Sequence, residues 1–372
     1  MKKILSLLIT VSCISGLLAQ QPDSVRVADT NSESGLKTVV DYLLKNKELL
    51  EIRLDTRFDY QAKFNEHETQ ESGFRGQTLK IWFTGEIAPG VRYRVRHRLN
   101  KPQNPLERDN LSGATDLAYI ELDAGKNWTF RIGKQVVQFG TFEFDYLPSD
   151  VYLTTTCYDD LDAFKTGLNV AYKTGKQVFN LQVVNSDAPQ FSTEKYKNKS
   201  LAGLFVWEGN LFNDLIKTRF GYGAFQHDSS KYYSWLTLGT KVTVNKFMAE
   251  MDWYMGDRNM NFSSVVPTVE GYRPVRDQSA SLNLRYDFGK IKSLVKGTWN
   301  KRRDQLTSSN YMTGGVQAGI EYYPFTNPLL KDLRFHAVYA YTRTNYNGDF
   351  KAMEGINQNM IIVGTRWMFK IM

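Results

Sequence analysis

Glu51-Ile52-Arg53-Leu54-Asp55-Thr56-Arg57-Phe58-Asp59-Tyr60-Gln61-Ala62-Lys63-Phe64 is the stretch that decides the fold. Ile52, Leu54, Thr56, Phe58, Tyr60, Ala62 and Phe64 alternate with Arg53, Asp55, Arg57, Asp59, Gln61 and Lys63. Successive side chains of a strand point to opposite faces, so one face here is apolar and aromatic, the other charged or amide. A strand in a soluble sheet usually stops after about 5–6 residues, whereas one tilted across a bilayer needs ~9–11. Length and alternation together predict a membrane-crossing strand with lipid on one side and a polar lumen on the other.

The same period recurs to the C-terminus. The predicted strands are 51–64, 75–87, 91–100, 116–123, 128–138, 165–173, 177–185, 200–208, 215–226, 232–244, 247–255, 278–287, 291–301, 312–323, 333–343 and 359–371, sixteen in all. Tight turns at 88–90, 124–127, 174–176, 245–246 and 288–290 alternate with long polar loops at 101–115, 139–164, 186–199, 256–277 and 344–358. Short connections on one side and long ones on the other are the pattern of periplasmic turns and extracellular loops. Only the short connection 227–231 and the long one 324–332 break this parity. Phe247, Ala249, Met251, Trp253 and Met255 share one face of their strand, as do Ile361, Val363, Thr365, Trp367, Phe369 and Ile371 of the last. The expected fold class is all-β, a sixteen-stranded antiparallel transmembrane barrel.

Composition sets the outer limits. The chain has 372 residues, 42% hydrophobic, 23% charged and 13% aromatic, with Cys13 and Cys157 its two cysteines. That excludes a helical membrane protein, a disulfide-stapled domain and a zinc ribbon. Met1-Lys2-Lys3, the apolar run Ile4–Leu18 and Ala19 read as a secretory signal peptide over 1–19. A lipoprotein modified at Cys13 is the alternative. Loss of Lys2 and Lys3 lowers the formal charge from +8 to +6. Residues 20–50 read as a periplasmic lead-in, where the spacing of Leu36, Val39, Val40, Leu43, Leu44 and Leu50 predicts a short helix near 36–50. The barrel then fills 51–372, placed in the outer membrane of a Gram-negative bacterium with membrane lipid around it.

The stretch Phe130-Arg131-Ile132-Gly133-Lys134-Gln135-Val136-Val137-Gln138-Phe139-Gly140-Thr141-Phe142-Glu143-Phe144-Asp145-Tyr146, continuing through Leu147-Pro148-Ser149-Asp150-Val151-Tyr152, resembles the fifth strand and third loop of the phosphate-selective porin O and P family, in its Bacteroidetes-type form. The flanking strands at Arg92–Asn100 and Thr166–Tyr172 fit as well. The resemblance is specific in sequence over about 90–175 and extends through strand order to most of the chain. It implies an outer-membrane channel, usually trimeric, with the third loop folded into the lumen. The chain ends Phe369-Lys370-Ile371-Met372, where many barrels end on an aromatic residue.

Charge on the lumen face carries the chemistry. In Val91-Arg92-Tyr93-Arg94-Val95-Arg96-His97-Arg98-Leu99 the period points Arg92, Arg94, Arg96 and Arg98 inward and His97 toward lipid. Slipping by one would turn four arginines into lipid at ~2–4 kcal/mol each near the midplane, so the orientation is forced. Same-face residues recur every ~7 Å, within a Debye length of ~8 Å, and the charges merge into a stripe. Glu86 and Glu121 on the neighbouring strands are the acids that could neutralise it. Parity adds Arg53, Arg57, Lys80, Arg131, Lys217, Arg219, Lys241, Arg285, Lys292, Lys296, Arg334 and Arg366 to the lumen, against Asp55, Asp59, Glu86, Glu121, Glu250, Asp252 and Glu321. Bases outnumber acids roughly two to one, which favours anions.

Loop 139–164 carries Glu143, Asp145, Asp150, Asp159, Asp160 and Asp162, with Phe142, Phe144, Tyr146, Leu147 and Tyr152 among its apolar residues. A loop this long is functional or disordered. It is expected to fold inward as a constriction, its acids facing the basic wall; an outer loop binding divalent cations is the alternative. His67, His97, His227 and His336 have no metal-ligand spacing, no catalytic or cofactor motif is present, and the compartment excludes nucleic acid. The expected function is therefore a porin for passive diffusion of small anions, phosphate among them, not an enzyme. A general porin with little charge preference, and an outer-membrane hydrolase or adhesion barrel, are the competing assignments.

Overall fold

The computed structural model describes residues 46, 48–65, 68–103, 108–259, 273–352 and 355–371. The expected signal peptide at 1–19 lies outside them. Of the lead-in and helix expected within 20–50 only the last residues are described, and there Glu48 and Leu49 form a turn.

Sixteen antiparallel strands follow one another around a closed barrel: β1 (Glu51–Phe64), β2 (Thr69–Ala88), β3 (Val91–Arg98), β4 (Thr115–Ala124), β5 (Trp128–Val136), β6 (Phe164–Thr174), β7 (Gln177–Asn185), β8 (Leu201–Leu211), β9 (Ile216–Gln226), β10 (Tyr232–Val244), β11 (Phe247–Asn259), β12 (Pro274–Asp287), β13 (Ile291–Asp304), β14 (Asn310–Tyr322), β15 (Arg334–Asn347) and β16 (Ile356–Lys370). β16 closes on β1, with Asp59 opposite Gly364 and Phe58 opposite Thr365. Burial is inverted relative to a soluble sheet. On β1, Asp55 and Asp59 are 0% and 2% exposed while Phe58 and Tyr60 are 55% and 41% exposed. The polar face is therefore inside and the apolar face meets lipid, so a one-residue slip would exchange the two.

Several strands outrun their expected ends. β2 begins at Thr69 instead of 75, and its pairing shifts between Arg57 and Phe58, where Gln77 is the extra residue. Apart from the outward Phe74 its first residues are polar or glycine on both faces, so alternation fades while the hydrogen-bond ladder continues. β11 and β12 likewise run through Asn259 and from Pro274, into the expected loop 256–277. There the outward pair is Asp257 with Arg276, 2.8 Å apart and exposed, a sign that the ladder rises above the lipid.

Loop 139–164 enters the barrel across a notch. The inward positions it crosses on β9 and β10 are Gly221 and Gly239. A Cβ at Gly221 would lie 2.8 Å from the Phe139 carbonyl oxygen, and one at Gly239 3.1 Å from the Thr141 Cα. Two 3-10 turns, Glu143–Asp145 and Pro148–Asp150, and the short helix α1 (Thr156–Asp160) follow. Thr155 Oγ1 caps α1 by accepting from the Tyr158 amide at 3.2 Å. Val137, Phe139, Cys157 and Leu161 then pack with Phe225, Tyr233, Trp235 and Tyr254 of the wall. Ala188 and Phe191 join this cluster from the connection 186–199, expected to be a purely outer loop. Phe191 stacks on Phe225 with ring centres 4.1 Å apart, because two apolar side chains in a polar stretch gain most by burial against inward aromatics.

Candidate functional site

The arginines of β3 face inward as a set but do not share one environment. Arg92 Nη2 lies 2.8 Å from Glu121 and its Nη1 2.6 Å from Asp123. Arg131 Nη2 takes the other Glu121 oxygen at 2.7 Å, and its guanidinium sits 4.8 Å from the Tyr119 ring centre. Arg96 Nε and Arg98 Nε lie 3.0 and 2.8 Å from Asp116. Arg94 is exposed and has no ion-pair partner among the described residues.

Asp116 is the acid that parity missed. Arg96 pairs with Leu117 and His97 with Thr115, so Asp116 is the extra residue of a bulge. A bulge re-aims a side chain, and here it turns a carboxylate into the lumen. The same irregularity gives His97 a partner, Thr115 Oγ1 at 3.0 Å from Nδ1. Glu86 is opposite Arg92 as expected, but its carboxylate accepts from the Gly90 amide at 3.0 Å.

The loop's acids were expected to face the basic wall across a pore. The structure instead ties most of them to the strands behind the loop. Glu143 is buried, 2.6 Å from Lys296 Nζ, and accepts from Thr155 Oγ1 at 2.6 Å and Tyr254 Oη at 2.9 Å. Burial alone would raise its pKa; Lys296 and the Thr155 donors outweigh that and hold it below the usual carboxylate range. Asp145 pairs with Arg219, Asp150 with Arg334 at 2.8 Å, and Asp160 with Arg258 and, at 3.0 Å, Arg302. Asp162 is 2.6 Å from Lys165. The wall answers with its own acids: both Asp252 oxygens accept from the Phe142 and Glu143 amides at 2.9 and 2.8 Å, and Asp55 accepts from Ser149 at 3.0 Å. Asp159 alone of the six has no basic partner among the described residues: it is exposed and accepts from Thr154 at 2.6 Å. Protein encloses it on most sides, and that desolvation pushes its carboxyl up to about 6.

Of three further bases expected to line the pore, two are buried. Arg57 is buried, its Nη1 donating to the Val151 carbonyl at 2.6 Å and its Nη2 2.8 Å from Asp59. Lys296 is buried under the loop and also donates to the Leu153 carbonyl at 2.9 Å. Arg53 lies at the short-turn end, paired with Glu51. Arg57 and Lys296 have thus been claimed by nearby protein, whereas Arg53 stays exposed. Lys292 stays half-exposed, 3.9 Å from Asp287 and 4.6 Å from the Tyr323 ring centre. His336 Nε2 is 2.9 Å from Asp59, and His227 Nδ1 is 2.6 Å from the Phe191 carbonyl. Among the described residues no three His, Cys, Asp or Glu side chains form a metal-ligand group.

Solved outer-membrane channels share this architecture. The outer membrane channel DcaP of Acinetobacter baumannii superposes with a TM-score of 0.61 at 10% identity, over 86% of this chain and 96% of that one. The trimer form of OmpT of Vibrio cholerae gives 0.59 at 12%, over 86% and 100%. An anion-selective porin from Comamonas acidovorans gives 0.55 at 11%, over 86% and 98%. Identities this low establish the fold alone. No curated protein matches the chain. The sequence itself matches the family model for phosphate-selective porin O and P over residues 50–262, more than half its length. With the closed barrel of sixteen strands and its porin neighbours, that match makes this chain a member of the phosphate-selective porin O and P family and an outer-membrane porin of a Gram-negative cell.

Proposed function

We propose that this porin conducts small solutes by passive diffusion with a preference for anions, phosphate among them, through the space between the lumen edge of loop 139–164 and the inward face of β2–β5. The observation that carries the proposal is Arg94: exposed, inward, and without an acid among the described residues. The inward face of β2–β5 carries Arg75, Lys80, Arg92, Arg94, Arg96, Arg98 and Arg131 against Glu71, Glu86, Asp116, Glu121 and Asp123, seven minus five, an excess of two positive charges. An anion ~4 Å from one such charge gains ~1 kcal/mol in bulk-like water and up to ~4 at an effective dielectric of ~20. Even ~1 kcal/mol net is a severalfold preference. Weak sites of this kind suit conduction, because an ion must leave as readily as it enters.

In this reading loop 139–164 is the constriction. Its support is the bonding of the loop to inward side chains of β1 and of β9 through β16. Deleting 142–160 is expected to raise single-channel conductance; an unchanged conductance removes the constriction role. Selectivity is tested in planar bilayers under a salt gradient. The expected zero-current potential has the sign of chloride preference, and potassium preference overturns the proposal. A general porin with little charge preference is the second reading, favoured by Asp116 and Asp123, which neutralise more of the stripe than Glu86 and Glu121 alone. We also propose a homotrimer, as in the trimer form of the Vibrio cholerae neighbour, with signal peptide 1–19 removed on export. Mass measurement in detergent tests the first, and N-terminal sequencing of the mature chain the second.

A further inference from the structure

Lys80 and Trp82 stand two residues apart on the inward face of β2, with Arg98 and Arg96 directly opposite on β3. Neighbouring strands lie ~4.8 Å apart and same-face residues ~7 Å apart, so the four side chains form one tight block. Lys80, Arg96 and Asp116 are 1%, 5% and 2% exposed. Three cations thus share one carboxylate. Asp116 is 3.0 Å from Arg96 Nε, 2.8 Å from Arg98 Nε and 3.5 Å from Lys80 Nζ. Asp55 lies opposite Lys80 on β1, but it is taken by Ser149 at 3.0 Å and Arg366 at 3.3 Å. Lys80 Nζ and Trp82 Nε1 are both buried and neither has a hydrogen-bond partner among the described residues.

Buried cations persist when they are paired and hydrogen-bonded, and like charges directly across a sheet repel. This block has three buried donors without a hydrogen-bond partner among the described residues, Lys80 Nζ, Trp82 Nε1 and Arg96 Nε, and two uncompensated positive charges. What satisfies it must be negative, must accept from an ammonium and an indole N–H, and must be small. The Arg96 guanidinium sits 4.8 Å from the Trp82 ring centre and 4.9 Å from that of Phe164, which is also 5.8 Å from the Arg98 guanidinium. We propose that Lys80 Nζ, Trp82 Nε1 and the Arg96 guanidinium hold a resident inorganic anion of halide size, a part of the wall and separate from the ions that pass Arg94. Its bound charge cancels one of the two excess positive charges of the wall and leaves Arg94 as the cation that passing anions meet.

Bromide is the probe. Crystals of the whole porin equilibrated with bromide are expected to show an anomalous peak within hydrogen-bond distance of both Lys80 Nζ and Trp82 Nε1. The peak should vanish in Lys80→Met, which keeps the chain length and removes the charge. It should weaken severalfold in Trp82→Phe, which keeps a ring and removes the N–H. Absence of the peak in the unmodified protein, or full occupancy in Lys80→Met, overturns the proposal. Should Lys80→Met fail to fold, tryptophan fluorescence decides. Bromide quenching that saturates in the unmodified porin and turns linear in Trp82→Phe supports the site, and linear quenching in both overturns it. Arg94→Gln is expected to leave the bromide peak in place while altering selectivity, so this proposal and that of anion conduction fail separately.

Discussion

Arg94 on β3 and Arg334 on β15 are both inward arginines of alternating strands, yet they live in opposite worlds. Arg334 is 3% exposed, bound to Asp150 at 2.8 Å, near Glu321 at 3.4 Å, and donates to the Ser149 carbonyl at 2.8 Å. Arg94 faces the lumen with no acid among the described residues. What separates them is loop 139–164, which pairs with inward charges of β1 and of β9 through β16 and makes no ion pair with Arg94 among the described residues. A guanidinium under the loop is a structural tie; the same group beyond its edge is, on the proposed function, a charge that a passing ion meets. Position along a strand sets which way an arginine points, and the neighbouring loop sets what it does.

The contrast breaks hardest at Lys296. Lys296→Met leaves Glu143 buried beside no cation, and breaking a buried pair costs about 3–5 kcal/mol. The loop is expected to detach, lowering the thermal midpoint on heated electrophoresis gels and raising conductance; Lys292→Met, at a half-exposed site, should do neither. Next comes the notch under the loop's entry. Gly221→Val sets a side chain against the Phe139 carbonyl and is expected to cost about 1–3 kcal/mol by overpacking, seen as a lower midpoint and a noisier open-channel current. The open wall should respond in selectivity and not in stability. Arg94→Gln is expected to reduce the chloride-over-potassium ratio severalfold, worth ~1 kcal/mol, most at low ionic strength, with an unchanged thermal midpoint. The smallest effect belongs to Asp159. Its carboxyl, pushed up to about 6, is charged at pH 8 and neutral at pH 5, so acidification removes a negative charge from the pore. Anion preference should rise modestly over that interval, and Asp159→Asn should remove the part of the rise centred near pH 6.

The barrel was legible because its rule is local. Lipid outside and water inside force a period of two, and fourteen residues from Glu51 to Phe64 already display it. Strand ends were less legible. Where β2, β11 and β12 rise above the lipid, the outward face no longer has to be apolar, as Asp257 and Arg276 show. Asp116 was hidden for another reason: a single bulge between Arg96 and His97 inverts parity at one residue, and nothing in the local composition announces it. Phe191 and Ala188 could have been noticed as apolar residues in a polar connection, the one signal that 186–199 enters the barrel.

What the sequence by itself determined is the class of object: a closed barrel of sixteen strands, which residues face lipid, and an arginine-bearing inner wall. These follow from the cost of exposing charge to lipid and of leaving backbone unpaired there, costs that act residue by residue. Only the tertiary structure decided which inward charges are spent and which are free. Glu143 finds Lys296 across 153 positions of chain, and Arg334 finds the Ser149 carbonyl across 185. Pairings of that range are set by where the loop lies in the lumen. Its place is fixed by the packing of Phe139 on Phe225 and Trp235 and by the glycine notch at Gly221 and Gly239, contacts that no period along the strands encodes.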